Sequence, residues 1–243
     1  MKTEVLGVEF DNITRRQAVE RAAELVQTPG LSYVVTPNAE IVNAARHDPE
    51  FLALLNGADL VLPDGVGVLK AASILGRPLQ ERVAGVDFAS DLMERLAKTG
   101  EGLFLLGAKP GVADLAAANL CNRYPGLVIS GTHDGYFKED EPVVRQIRDS
   151  GAAVLFVCLG APKQERWIAA HGAETGVRLA VGLGGSLDVY AGVVQRAPEF
   201  WQKAGLEWFY RAVKEPKRAG RVAKLPGFLV SAYREKQREN KVK

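Results

Sequence analysis

The sequence predicts an α/β fold: a Rossmann-like, mostly parallel sheet with helices on both faces, followed by a helical, basic C-terminal appendage. Three observations predict it. Short apolar, β-branched runs alternate with segments of 3.6-residue periodicity, the pattern of strand-helix repeats that build a parallel sheet. The runs are apolar almost throughout, as strands covered on both faces must be. The strand signal stops near residue 195, and the rest is broken at Pro198, Pro216 and Pro226.

In chain order, strands are expected at 31–36, 58–62, 103–107, 127–132, 153–159 and 177–183. Helices are expected at 39–46, 88–99, 112–124, 142–150 and 164–174. Residues 1–195 form the expected α/β domain and 196–243 the appendage. A chain of 243 residues can bury a core without staples. Cys121 and Cys158 lie in apolar, regular segments and are expected to be buried free thiols of a reducing compartment. The first ten residues lack the basic and apolar regions of a secretory signal. No uncharged apolar stretch reaches the ~20 residues of a spanning helix. A soluble protein, or one attached to a membrane only at its surface, is expected.

The formal net charge of +2 conceals an asymmetry. Residues 196–243 hold 13 Lys and Arg against 5 Asp and Glu, leaving 18 against 24 in the first 195. The same tail holds seven of the 18 aromatic residues, among them Trp201, Trp208, Phe209 and Tyr210. A basic, aromatic segment suits an anionic surface such as lipid headgroups, diphosphates or nucleic acid. A solvated helix pair packed on the core accounts for the charge equally well.

The turns carry the chemistry. Strands run into Thr36-Pro37-Asn38, Pro63-Asp64-Gly65, Gly107-Ala108-Lys109, the 131–136 segment that begins at Gly131, Gly160-Ala161-Pro162-Lys163-Gln164-Glu165, and the loop that holds Gly184, Gly185 and Asp188. In a parallel sheet these loops share the edge where such sheets bind ligands. Glycines let the backbone approach a ligand, and helix N-termini favour phosphate. Asn38, Asp64, Lys109, Asp134, Gln164 and Asp188 are therefore expected on one rim.

Several signatures are absent. There is no Walker-type phosphate loop and no nucleophile elbow. Gly182-Leu183-Gly184-Gly185 has Leu187 where a dinucleotide fingerprint needs its third glycine. The three histidines show no metal spacing, and no Asp-x-Asp pair is present to hold a divalent cation. No cofactor and no metal are expected, so protein groups would neutralise any leaving diphosphate.

Individual residues have two readings. Asp64 either caps a helix or accepts a proton from an attacking hydroxyl, and a strongly bonded cap is a poor base. Thr36 could cap a helix that begins at Pro37, leaving Asn38 to offer a donor and an acceptor. Glu165 could complement a helix dipole in its first turn. Arg82 could be a surface side chain or a rigid fork for a diphosphate.

Taken together, these segments resemble the WecG/TagA/CpsF glycosyltransferases. The resemblance runs through 36–40, 62–65, 81–87, 106–111, 160–165, 185–192, 196–198, 206–211 and 215–218 in order, across roughly residues 30 to 220. It is strongest to the TagA type, which transfers N-acetylmannosamine from UDP to N-acetylglucosaminyl-diphospho-undecaprenol with inversion in wall teichoic acid synthesis. WecG-type members transfer the uronic acid instead. The resemblance implies Asp64 as catalytic base, with Thr36, Asn38, Arg82 and Gln164 as its partners. It also implies that Arg211, Arg218 and Arg221 of the appendage complete the site. The implied partners are a UDP-sugar, a polyprenyl-diphosphate-linked acceptor and an anionic membrane surface, and the implied location is cytoplasmic, against the inner face of the membrane. Leu187 stands where the family usually has Phe, and 225–243 matches less well. An apolar homo-oligomer interface could keep the site incomplete until the membrane is met. A nucleic-acid module built on the tail is a rival that needs nothing from the rim loops. A UDP-sugar-modifying enzyme would usually need a redox cofactor, whose fingerprint is absent.

Overall fold

The computed structural model describes residues 1–198, 200, 201, 210 and 225–242. Six parallel strands form the central sheet: β3 (Ser32–Val35), β4 (Leu60–Val61), β5 (Leu103–Gly107), β6 (Ile129–His133), β7 (Val154–Cys158) and β8 (Leu179–Gly182). They lie side by side in the order β4-β3-β8-β7-β5-β6. All six match expected runs. β4 is shorter than the expected run, although Asp59 N–H bonds the Tyr33 carbonyl just before it.

The helices are α1 (Arg15–Gln27), α2 (Ala39–Ala45), α3 (Pro49–Asn56), α4 (Val66–Leu75), α5 (Gly85–Thr99), α6 (Val112–Arg123), α7 (Asp140–Asp149), α8 (Lys163–His171), α9 (Ser186–Tyr190) and α10 (Leu225–Val242). Strand register sends alternate side chains to opposite layers. Val34, Leu103, Leu105, Phe156 and Val181 pack under α1, α5, α6 and α9. On the other face Val35 and Val61 meet α2, α3 and α4, while Phe104, Leu106 and Leu155 meet α7 and α8.

A hairpin precedes the sheet, β1 (Lys2–Val5) and β2 (Val8–Asp11), with Leu6 and Gly7 both at positive φ. That geometry matches strand twist. Thr3, Val5, Leu6, Val8 and Phe10 are its buried positions. Asp11 Oδ2 accepts from Val61 N at 2.9 Å and so satisfies the open side of β4.

α10 packs along α4. Phe228 and Ala232 enter the core shared with the hairpin, α2 and α3. Arg77 ties the assembly together, meeting Glu4 at 2.9 Å and Glu239 at 2.7 Å. Gly67 makes the contact possible, because a Cβ there would lie 2.6 Å from Leu225 Cδ1. Among the described residues, no helix is long and apolar enough to cross a membrane.

One expectation is corrected here. Cys158 is buried, but Cys121 is exposed. α6 buries Ala113, Ala116 and Leu120, and position 121 falls one residue past that stripe.

If α10 is docked as described, Phe228→Ala should cost about 3–5 kcal/mol. Tyr233→Ala, on the outer face and 57% exposed, should change stability by no more than ~0.5 kcal/mol. Urea unfolding of both variants measures this, and equal effects would contradict the docking.

Candidate active site

The site follows from a change of direction in the sheet. β3 and β8 are neighbours, yet the chain leaves β3 for α2 on one face and β8 for α9 on the other. Such divergence opens a crevice at the strands' C-terminal ends. A cavity of about 470 Å³ lies there, and Thr36, Asn38, Asp64, Arg82 and Gln164 all line it.

Thr36 closes the floor of the crevice. Its hydroxyl donates to the Gly182 carbonyl at 3.0 Å, joining the ends of β3 and β8. It caps no helix. Asn38 is the cap of α2, its Oδ1 accepting from Glu40 N at 2.9 Å and Ile41 N at 3.1 Å. The cap expected of Thr36 therefore falls to Asn38, because α2 begins after it. The cap engages the Asn38 oxygen, and the residue lines the cavity.

Asp64 does not cap the helix that follows it. The cap position of α4 is Gly65, at φ +87°, a conformation that glycine adopts without strain. Asp64 N–H bonds the Pro37 carbonyl at 3.1 Å, which joins its loop to that of β3. Its carboxylate accepts from Gly85 N at 3.4 Å and lies 4.0 Å from Arg82 Nε. Gly85 is pressed against Thr36, and a Cβ there would come within 3.0 Å of Oγ1. The Tyr190 hydroxyl donates to the Val86 carbonyl at 2.8 Å, and Arg196 grips Asp87 with two bonds of 2.6 and 3.1 Å. α9 and the chain beyond it therefore hold the first turn of α5 in place.

The electrostatics favour an anion. α4, α5 and α8 each begin at this cavity, and none has a side-chain cap from its own N-cap residue. Each helix start carries roughly half a positive charge and donors with no intrahelical partner. Among the described residues, no group of three or more His, Cys, Asp or Glu could hold a metal ion.

Gln164 and Glu165 lie behind the crevice, 2% and 1% exposed. Gln164 Oε1 accepts from Gly184 N at 2.9 Å, and its Nε2 donates to Glu165 Oε1 at 2.8 Å. Burial pushes the Glu165 carboxyl above the usual carboxylate range.

A second concavity, of about 570 Å³, lies on the rim among the described residues and is lined by Lys109, Tyr136, Lys163 and Asp188. It shares its wall with the first: Leu159 and Lys163 line it, while Gly160 and Gln164 line the first cavity. Gly184 and Gly185 line the first cavity. Gly107 is required by packing, since a Cβ would lie 2.4 Å from the Cys158 carbonyl oxygen. Asp134 turns back on its own loop, accepting from Tyr136 N at 2.7 Å. Gly131 sits within β6, where its missing side chain admits the Phe104 ring, and it is not among the residues that line these two cavities. Arg211, Arg218 and Arg221, with Trp208 and Phe209, lie outside the described residues. Leu225 and Phe228 line the first cavity and were not anticipated. Their spacing of three in an apolar helix start was the available signal.

The model of the glycosyl transferase WecG/TagA/CpsF family matches residues 3–242. The chain belongs to this family. N-acetylglucosaminyldiphosphoundecaprenol N-acetyl-beta-D-mannosaminyltransferases of Staphylococcus aureus strains MW2 and MRSA252 are each 36% identical over 244 residues, covering 100% of this chain and 96% of theirs. The crevice between β3 and β8 is accordingly the candidate active site of a glycosyltransferase.

The Glu165 environment in this transferase makes a signed prediction. A carboxyl whose folded pKa is raised contributes fully below its unfolded value, near 4.5, and loses that contribution as pH rises through the folded value. Glu165→Gln should gain stability relative to wild type as pH is raised from about 4 to 8. Denaturant midpoints across that range test it, and a difference independent of pH would contradict it.

Proposed function

We propose that this chain moves an N-acetylmannosaminyl group from UDP onto undecaprenyl-diphosphate-linked N-acetylglucosamine, inverting the anomeric carbon. The full-length similarity to transferases named for that activity supports the sugar and the acceptor. The observation that carries the chemistry is the placement of Asp64 beside Arg82, in a cavity onto which three helix starts open without their own side-chain caps.

The acceptor hydroxyl attacks the anomeric carbon from the face opposite UDP. A C–O bond forms there, the bond to the β-phosphate breaks, and the hydroxyl proton passes to Asp64. UDP leaves with the electron pair. Arg82 and the N–H groups of α4, α5 and α8 neutralise its growing charge, a role that pre-oriented dipoles fill without reorganising. Such groups serve in place of a divalent cation. Thr36 orders the crevice, while Asn38 Nδ2 and Gln164 meet sugar oxygens. The second cavity suits the nucleoside, with Tyr136 as a surface for the base, Asp188 for ribose hydroxyls and Lys109 for phosphate.

The acceptor is bound to a lipid, so the enzyme works at the cytoplasmic face of the membrane as a peripheral protein. The basic segment 196–243 meets that surface, where each Lys or Arg contributes about 1 kcal/mol at low salt. Arg211, Arg218 and Arg221 reach the acceptor diphosphate.

Asp64→Asn tests the mechanism. Transfer should fall by about 10²–10⁴-fold while UDP affinity stays within a few-fold of wild type. Isothermal titration and a UDP-release assay measure the two quantities. A near-wild-type rate would remove Asp64 as the base.

A further inference from the structure

Glu165 is an unusual carboxyl. It is 1% exposed, has no ion-pair partner among the described residues, and keeps one oxygen, Oε2, without a hydrogen bond. A group so costly to bury calls for a compensating function. Its other oxygen has one side-chain partner, the Gln164 amide, at 2.8 Å.

The Gln164 amide is held at its oxygen, at its nitrogen and against Gly182, and the residue also lines the cavity. Its oxygen is committed to Gly184 N, the first donor of the loop after Leu183. Gly182 has room for the amide only because it lacks a side chain, since a Cβ there would lie 2.9 Å from Nε2. An amide can rotate by half a turn with almost no change in shape. Rotated, it would set its NH2 group against the Gly184 N–H. Glu165 then decides the matter from the other side, because its Oε1 accepts from nitrogen.

We propose that Glu165 is a positioning residue: through Oε1 it locks the Gln164 amide in one orientation, so that the remaining Nε2 hydrogen is presented to an oxygen of the bound sugar. The inference rests on the transferase reading for its ligand, but not for the lock itself. The acid acts without touching substrate. Its neutral form makes the same bond, which is consistent with its burial.

Two variants separate the lock from mere packing. Glu165→Met fills the space and removes the acceptor, and Glu165→Gln keeps an acceptor oxygen. Glu165→Met should lower kcat by about 10²-fold with a much smaller change in KM, as expected for a misplaced contact to the reacting sugar. Glu165→Gln should restore most of that rate. Combining Glu165→Met with Gln164→Ala should be no slower than Gln164→Ala alone, because the acid acts only through the amide. The side-chain amide protons of Gln164 provide a readout independent of turnover. In protein labelled with 15N-glutamine, and assigned by loss of the signals in Gln164→Glu, they should be well separated and slow to exchange in wild type and in Glu165→Gln. In Glu165→Met they should merge towards free-amide positions. Losses that multiply in the double variant, or an unchanged amide signal in Glu165→Met, would overturn the proposal. If wild type released no UDP from its donor, the functional reading would fall, while the amide signals would still decide the lock.

Discussion

The structure depends on a constraint at the junction of β3 and β8. Both strands are parallel and buried on both faces, and their chains depart to opposite sides of the sheet. A crevice must open where they part, and the backbone around it needs donors and acceptors that water would otherwise supply. The Thr36 hydroxyl on the Gly182 carbonyl closes the bottom. The Gln164 amide on Gly184 N closes the far wall. Polar residues gather there because the topology leaves unpaired backbone groups, and the same groups then serve a polar substrate.

From that junction the rest of the site can be assembled in layers. The Pro37 carbonyl draws in the Asp64 loop, and the Pro63 carbonyl accepts from Val83 N at 2.9 Å, drawing in the loop that carries Arg82. That loop delivers Gly85 and the start of α5. Tyr190 and Arg196 pin α5 from the other side. A carboxylate, a guanidinium and three helix starts are thereby held together without a metal cluster among the described residues. Preorganised dipoles of this kind are worth most where water is excluded.

Much of this was legible in the sequence because the relevant signals are local. Apolar runs marked all six sheet strands, and the loops after them placed Thr36, Asn38, Asp64 and Gln164 at a common edge; these four line one cavity together with Arg82, whose place in the site came from the resemblance alone. What escaped was settled by tertiary contact. α4 exposes only Lys70 and Ser73 fully, since the sheet and α10 cover it from two sides, so its helical period is masked. The hairpin turns on Leu6, whose positive φ no propensity announces. Thr36 turns from the expected cap to a carbonyl 146 residues away. The reason for a glycine at 131, at the end of an expected strand, is the Phe104 ring on the neighbouring strand, which is invisible along the chain.

The central claim is that protein groups in this crevice, rather than a bound cation, carry the departure of UDP towards a lipid-linked acceptor. The direct test is UDP release by the purified full chain from UDP-N-acetylmannosamine, with and without a short-chain lipid-diphosphate-N-acetylglucosamine, in EDTA. The account predicts release that depends on acceptor and is unchanged by the chelator. Release that is absent in EDTA and restored by a divalent cation would contradict it.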